Sequence, residues 1–560
     1  MSVGTEFDFV IVGAGSSGCV LANRLSEGGR YKIAVLEAGP RDRNFWIHLP
    51  IGYGKTMWDS RVNWRFHTEP EPNMAGREIY WPRGRVLGGS SSINGLIVIR
   101  GQAEDYDRWR ELGNAGWSWQ EVLPYFRRLE SNDRFAESQF HGATGPLRVS
   151  SIRAKNELIE AVIAAAENCG VPRTDDFNGA AQEGVGYYQL TTHNGWRASA
   201  AKAYLRPAED RANLSIITDA QVTQILFQGK RATGVRFQRG GRQESIQARR
   251  GVILSAGAVQ SPQLLMLSGI GPAAHLQDHG IPVLQDHPGV GQNLQDHLQI
   301  RLIYRCNKPI TTNDTLRSLA GRMRIGLEWL LFRSGPLAIG INQGGLFTRV
   351  LPESQTPDIQ FHIATLSADM AGGKVHDFPG FTLSVCQLRP ESTGSISLRS
   401  GDPLAAPKIQ ANYFAAETDR RCAVAAMRFA RKLAQTDPLA GYVASEVKPG
   451  DGAVSDDDLM NFAREQGATI FHPVGTCRMG PEEDAQAVVD PRLRVKGIDG
   501  LWVVDCSIMP ALVSGNTNIP AIMIGEKAAE MIREDVDNNE ANGRKPCLST
   551  AEGIPAATAV

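Results

Sequence analysis

No stretch of the chain approaches the roughly 18 consecutive apolar residues that cross a bilayer as a helix. Net charge is nearly absent as well, with 59 Lys and Arg against 60 Asp and Glu. A chain so balanced lacks the basic excess that binds nucleic acid or an anionic membrane, and net charge gives no reason to expect either as partner. Cysteines are few and scattered: eight in 560 residues, with no C-x-x-C pair. That dispersal argues against a disulfide frame and against a thiolate metal site, and reads as buried, reduced thiols in a cytoplasmic protein. Met1 to Phe7 has no basic region followed by an apolar run, so no secretory leader is expected. No internal period of about 20–50 residues marks a repeat architecture. A G-x-S-x-G hydrolase elbow is missing too. Gly54-Lys55-Thr56 imitates the end of a phosphate-binding P-loop, but Leu49 stands where that loop needs its first glycine.

What is present begins at once. Phe7-Asp8-Phe9-Val10-Ile11-Val12 is rich in β-branched and aromatic residues and reads as a buried strand. It runs into Gly13-Ala14-Gly15-Ser16-Ser17-Gly18, after which Gly18, Leu21, Ala22 and Leu25 recur at helical spacing up to Gly28-Gly29. A second apolar run, Ile33 to Leu36, ends on Glu37 and Ala38. The chemistry of dinucleotide binding needs these types at this spacing. Gly13 permits a tight turn, Gly15 lets a pyrophosphate approach the backbone, and Gly18 lets helix pack on strand. The helix N-terminus offers free N–H groups to phosphate, and Glu37 can accept from ribose hydroxyls. The unit leaves open whether the dinucleotide is NAD or FAD.

Four further blocks narrow the reading. They are Gly84-Arg85-Val86-Leu87-Gly88-Gly89-Ser90-Ser91-Ser92-Ile93-Asn94-Gly95; Gly257-Ala258-Val259-Gln260-Ser261-Pro262 running to Gly271; His472-Pro473-Val474-Gly475-Thr476-Cys477-Arg478; and Val503-Val504-Asp505 leading to Ser514-Gly515-Asn516-Thr517-Asn518. In this order and spacing the chain resembles the glucose-methanol-choline (GMC) oxidoreductases from about Phe7 to Arg533. The likeness is nearest to the branch of choline dehydrogenase and the FAD-dependent alkanol dehydrogenases.

That resemblance implies FAD as cofactor and an α/β fold, α+β overall: a Rossmann-like FAD-binding domain with a mostly antiparallel-sheet substrate domain. Gly13, Gly15, Ser16, Ser17, Gly18, Glu37 and Ala38 correspond to the ADP-binding end. Val86, Gly89, Ser90, Asn94, Gly95, Leu96 and Ile97 match the segment beside the flavin ring, and Val222 the position whose backbone touches adenine. Asp505 and Cys506 match the pair near the ribityl chain and pyrophosphate, with Thr517 among the cofactor contacts. His472 and Asn516 match the catalytic pair.

The residue types suit those roles. A lone histidine is more often structural than catalytic, but His472 has Pro473 to fix the chain beside it and Gly475 to open the approach. A neutral imidazole can take an alcohol proton, and the Asn516 amide can donate to the resulting alkoxide. A helix following Asn516 would turn its positive end toward the flavin pyrimidine edge. The expected reaction is oxidation of an alcohol to an aldehyde or ketone with hydride transfer to flavin N5.

Two departures from the family pattern shape the rest. Where members with covalent FAD carry a histidine next to the asparagine of the first block, this chain has Ile93, so non-covalent FAD is expected. Where choline-specific members carry a carboxylate before a Gly-Gly pair, this chain reads Ile341-Asn342-Gln343-Gly344-Gly345. A neutral, primary alcohol is therefore expected over choline. Choline oxidation and a non-redox hydroxynitrile lyase activity are the alternatives that the resemblance keeps open. The acceptor expected to reoxidise the flavin is oxygen or a quinone-like carrier, and peripheral membrane association is compatible with the latter. The FAD-binding domain is expected over residues 1–149, 213–301 and 463–540, and the substrate domain over 150–212 and 302–462. In the latter, Thr382–Leu388 and Gly394–Arg399 read as two strands joined by turn residues. Residues 541–560 read as a disordered tail.

Overall fold

The computed structural model describes residues 6–152, 154–370 and 372–541. The chain opens on strand β1 (Glu6–Val12), turns into helix α1 (Ser16–Ser26), and returns on β2 (Ile33–Leu36), parallel to β1. Strand β3 (Gly184–Tyr187) starts a second sheet, and β4 (Leu214–Ile217) goes back to lie beside β2. An antiparallel meander follows, formed by β5 (Ala220–Gln228), β6 (Arg231–Arg239) and β7 (Arg242–Leu254), and the last of these lies parallel to β1. Helix α2 (Gly257–Leu267) leads toward β8 (Leu298–Cys306), which enters the second sheet. Helix α3 (Leu319–Phe332) precedes β9 (Asn342–Thr348), β10 (Ile359–Ala364) and β11 (Gly380–Gln387). Helix α4 (Glu417–Ala434), β12 (Val443–Lys448) and β13 (Ala468–Thr469) complete that half, and β14 (Leu501–Val503) and helix α5 (Asn518–Ala541) return to the first.

Each sheet has seven strands. The first runs β4-β2-β1-β7-β6-β5 with β14 also on β7, and the second runs β12-β8-β11-β10-β9-β3 with β13 also on β8. The centre of the first sheet is parallel and covered on both sides, which is why β1 and β2 read as unbroken apolar runs. The second sheet is antiparallel and works by alternation. On β8, Ile300, Leu302 and Tyr304 pack into the core below, while Gln299 and Arg301 face a large cavity. The two halves keep largely separate apolar cores, with the cavity between the sheets.

Two expectations differ from what is seen. In the second sheet β8 already begins at Leu298 and β13 adds Ala468–Thr469, so its strands overrun the expected boundaries at 301/302 and 462/463 by a few residues. The two strand-like runs near 382–399 do not pair with each other. Strand β11 is interior to the second sheet, while Ser395–Ser397 pairs with Lys408–Gln410 in a ribbon of its own. The expected disordered tail, beyond Ala541, lies outside the described residues.

Candidate active site

The floor of the cavity is a loop and two helix ends. Gly13 has φ +97°, and a Cβ there would sit 2.5 Å from the Ser255 carbonyl oxygen. A Cβ on Gly18 would come within 1.9 Å of the Gly13 carbonyl oxygen, so α1 packs on the β1 end only because both are glycine. No side chain caps α1, which leaves its first amides free for an anion. Ser16 Oγ donates to Asn518 Oδ1 at 2.8 Å, bringing the N-terminus of α5 to the same place. Two positive helix ends thus converge on one cavity.

The cavity measures ≈ 380 Å³, and most of the expected site residues line it. Gly13, Gly15, Ser16, Ser17, Glu37 and Ala38 form one end, with Val222 beside them. Gly89, Ser90, Asn94, Gly95, Leu96 and Ile97 form one long wall. Asp505, Cys506, Asn516, Thr517 and His472 close the other side. Gly18 and Val86 do not line it. Gly18 belongs to the helix–strand junction, and Val86 is fully buried with Ile47, Val62 and Ile93.

The two floor carboxylates are already engaged. Glu37 accepts from Ala14 N at 3.0 Å and Gly39 N at 2.9 Å, and burial pushes its carboxyl up to about 7. Its remaining lone pairs face the cavity where a ribose would lie. Asp505 accepts from Gly257 N (2.9 Å), Ser261 Oγ (2.6 Å) and Ser507 N (2.8 Å), tying the start of α2 to the loop after β14.

His472 and Asn516 meet on the opposite side, and their hydrogen bonds fix a protonation pattern. His297 Nε2 lies 2.8 Å from the Leu388 carbonyl oxygen, which can only accept, so Nε2 carries the proton. Neutral His297 therefore has its lone pair on Nδ1, which lies 3.0 Å from His472 Nδ1. His472 must donate there, leaving its own lone pair on Nε2. Asn516 Nδ2 donates to that Nε2 at 3.1 Å, and Gln360 Nε2 donates to Asn516 Oδ1, also at 3.1 Å. The chain of donors thus sets both the tautomer of the imidazole and the flip of the amide.

Burial favours the same state. It holds His472 well below the ordinary histidine value, with His297, His362 and Arg83 adding to the effect, and it pushes His297 down to about 4. The backbone supports the ring. His472 N donates to Asp296 Oδ1 at 2.7 Å, and Tyr413 and Thr469 hold the other oxygen of that carboxylate. Phe471, just before, is held at φ +73°, a strained conformation for a bulky residue. Gly475 has a different role from the one its place beside His472 suggests. A Cβ there would meet the Asn293 carbonyl oxygen at 2.4 Å, so it allows two loops to touch and opens no approach.

Sequence reasoning missed His297, Asp296 and Gln360, which orient the pair, and Arg301 and His362, which share the cavity wall. Asp296-His297 did carry a signal, two adjacent titratable residues directly before the strand run Leu298–Tyr304. Gln360, His362 and Arg301 carry only the alternation of a half-buried strand.

The donor set fits FAD. Uncapped amides at α1 suit a diphosphate, Glu37 suits a ribose, and the small residues between Gly89 and Gly95 suit a planar ring.

The family described as GMC oxidoreductase matches by its N-terminal model over residues 7–299 and by its C-terminal model over 390–525. An alcohol dehydrogenase [acceptor] of Pseudomonas putida is 43% identical over 534 residues, covering 95% of this chain and 96% of that one. An oxygen-dependent choline dehydrogenase of Brucella suis is 44% identical over 531 residues, covering 94% and 95%. Among solved structures, a pyridoxine 4-oxidase from Mesorbium loti superposes with a TM-score of 0.85 at 30% identity, covering 94% of this chain and 99% of that chain.

Proposed function

The chain belongs to the GMC oxidoreductase family, and from that premise we propose that it oxidises a primary alcohol to the aldehyde with His472 as general base. FAD, which Gly13, Gly15, Glu37 and the segment from Gly89 to Ile97 would hold non-covalently, would supply the oxidant for the hydride of the carbinol carbon. His472 Nε2 takes the hydroxyl proton, a step typically worth about 10²–10⁴-fold in rate. Asn516 Nδ2, 3.1 Å from that nitrogen, donates to the oxygen as it becomes an alkoxide. The observation that carries the reading is the run of bonds Leu388–His297–His472–Asn516, which leaves one basic nitrogen facing the cavity. Choline is a poor match, because the carboxylates lining the cavity are Glu37 and Asp505, and both are engaged on the floor. Anaerobic titration of the yellow protein with alcohols tests the reading. Loss of the flavin band is expected with a primary alcohol, and a band that only dithionite removes would refute it.

We infer also that the molecule rests on an anionic lipid surface. Helix α3 turns Ile325 and Trp329 inward and exposes Leu319, Met323, Leu327, Leu330, Leu331 and Phe332, the last 72% exposed. Helical spacing puts Leu319, Met323, Leu327, Leu330 and Leu331 on one outward stripe. Arg322 and Arg324, both exposed, flank it on either side, and Arg317 precedes it. An apolar stripe bordered by arginines is the pattern of a helix lying in a headgroup layer. Co-flotation with vesicles containing phosphatidylglycerol is expected, lost in Leu327→Asp/Leu331→Asp. Equal flotation of that variant, or none by the native chain, overturns the docking.

A further inference from the structure

The roof of the cavity carries a row of polar side chains that the alcohol chemistry does not use. Arg301 on β8, Ser384 on β11 and His362 on β10 are direct cross-strand neighbours on the cavity-facing side of three adjacent strands. Arg301 has no carboxylate partner and no hydrogen-bond acceptor among the described residues. Other guanidinium groups near the cavity are accounted for. Arg83 donates to the carbonyls of Pro82 and Phe471, and Arg197 to the Asn94 side chain and to backbone carbonyls. His362 is 2% exposed, and neither of its ring nitrogens has a partner. Tyr53, whose oxygen accepts from Ile341 N at 3.2 Å, lines the same wall within electrostatic range of Arg301. A half-buried guanidinium without an acceptor, on the same cavity face as a fully buried imidazole without a partner, is a costly arrangement for a fold to keep empty-handed.

We propose that Arg301, with His362 and Ser384, binds a carboxylate at the far end of the substrate, so that the alcohol oxidised is a hydroxy acid. This rests on the alcohol oxidation proposed above and adds the second end of the molecule. The guanidinium provides a fork of donors for two carboxylate oxygens, and His362 adds a further N–H. Gln360, which holds Asn516, lies two residues before His362 on the same face of β10. His297, which holds His472, lies four residues before Arg301 on the same face of the chain leading along β8, so the anion row is set off from the catalytic pair by about 7 Å along β10 and about 13 Å along β8. With the reach of the arginine subtracted, that separation suits a chain of about six carbons. Among the described residues no carboxylate faces the cavity from the roof, so a cationic alcohol meets repulsion where an anionic one is held.

The test compares 6-hydroxyhexanoate with 1-hexanol in anaerobic flavin reduction, and measures binding of hexanoate, which has no hydroxyl, by its effect on the flavin spectrum. In the native holoenzyme 6-hydroxyhexanoate is expected to have the larger kcat/KM. Arg301→Met should reduce that preference by about 10- to 100-fold, through KM, and weaken hexanoate by a similar factor. Arg301→Lys should restore part of both, and retention of yellow colour reports that each variant is folded. If the native enzyme prefers hexanol, or Arg301→Met leaves the ratio and the hexanoate affinity unmoved, the carboxylate site is wrong. The two proposals fail separately. Hexanoate binding that depends on Arg301, with no flavin reduction by any alcohol, would keep the anion site and refute the oxidation. Alcohol reduction without that dependence would do the reverse.

Discussion

The floor and the roof of the cavity are built from different parts of the chain's chemistry. The floor is largely backbone: amides at the uncapped end of α1, a glycine at φ +97°, and carboxylates already satisfied by main-chain N–H groups. The roof is side chains alone, set out at every second residue of β8, β10 and β11. Backbone recognition tolerates few residue types and leaves a motif, whereas side chains on a strand face can be exchanged without disturbing the sheet. The floor therefore leaves a motif in the sequence, and the roof leaves none.

The sharpest test of this division removes the base and leaves the floor alone. His472→Ala is expected to lower the rate of flavin reduction by about 10²–10⁴-fold while FAD stays bound. Stopped-flow reduction and the visible spectrum report the two halves in one experiment. Loss of flavin together with activity would mean that the catalytic pair also supports the floor. Gly18→Val makes the opposite cut. Its side chain would collide with the Gly13 carbonyl, where even a Cβ lies at 1.9 Å. A protein that is folded by circular dichroism but purifies with little flavin is expected, at least 10-fold below native occupancy if the clash amounts to about 1.4 kcal/mol or more. Normal FAD content would show that the loop can move aside.

A smaller effect is expected where the roof only orients. Gln360→Leu removes the donor to Asn516 Oδ1, freeing the amide to turn its oxygen toward His472 Nε2. A kcat loss of about 10-fold with KM little changed is expected, since the lost bond is worth about 1–1.5 kcal/mol. A change in KM alone would place Gln360 in substrate binding.

The same contrast accounts for what the sequence disclosed. Gly13–Gly18, Glu37, His472 and Asn516 were legible because glycines and functional residues recur in fixed order along the chain, and the family's two models match 7–299 and 390–525. Between those matches lie most of β8 and all of β9, β10 and β11, including Arg301, Gln360 and His362. Their positions follow from pairing register, which brings residues 301, 384 and 362 side by side. No local spacing encodes that neighbourhood. Val86 shows the converse: it belongs to a recognisable motif, yet its side chain packs away from the cavity among Ile47, Val62 and Ile93. Gly475 likewise sits in the right block for a reason that only the approach of Asn293 reveals.

Acid titration should separate floor from roof by sign. Glu37, raised to about 7 by burial, binds its proton more tightly in the fold than in the unfolded chain, so its contribution grows as pH falls from 7 toward 4.5. His362, pushed down to about 3, behaves oppositely: the unfolded chain takes up a proton below about 6.5 while the fold does not, and stability drains away as pH falls from there toward 3. At pH 5 that one histidine should withdraw about 2 kcal/mol, since each unit of difference is worth about 1.4 kcal/mol. His362→Leu should therefore melt relatively higher than the native holoenzyme at pH 5 than at pH 8, whatever its absolute Tm. A difference between the two proteins that does not change with pH would mean that His362 is protonated in the fold, and a bound anion beside Arg301 is what would allow it.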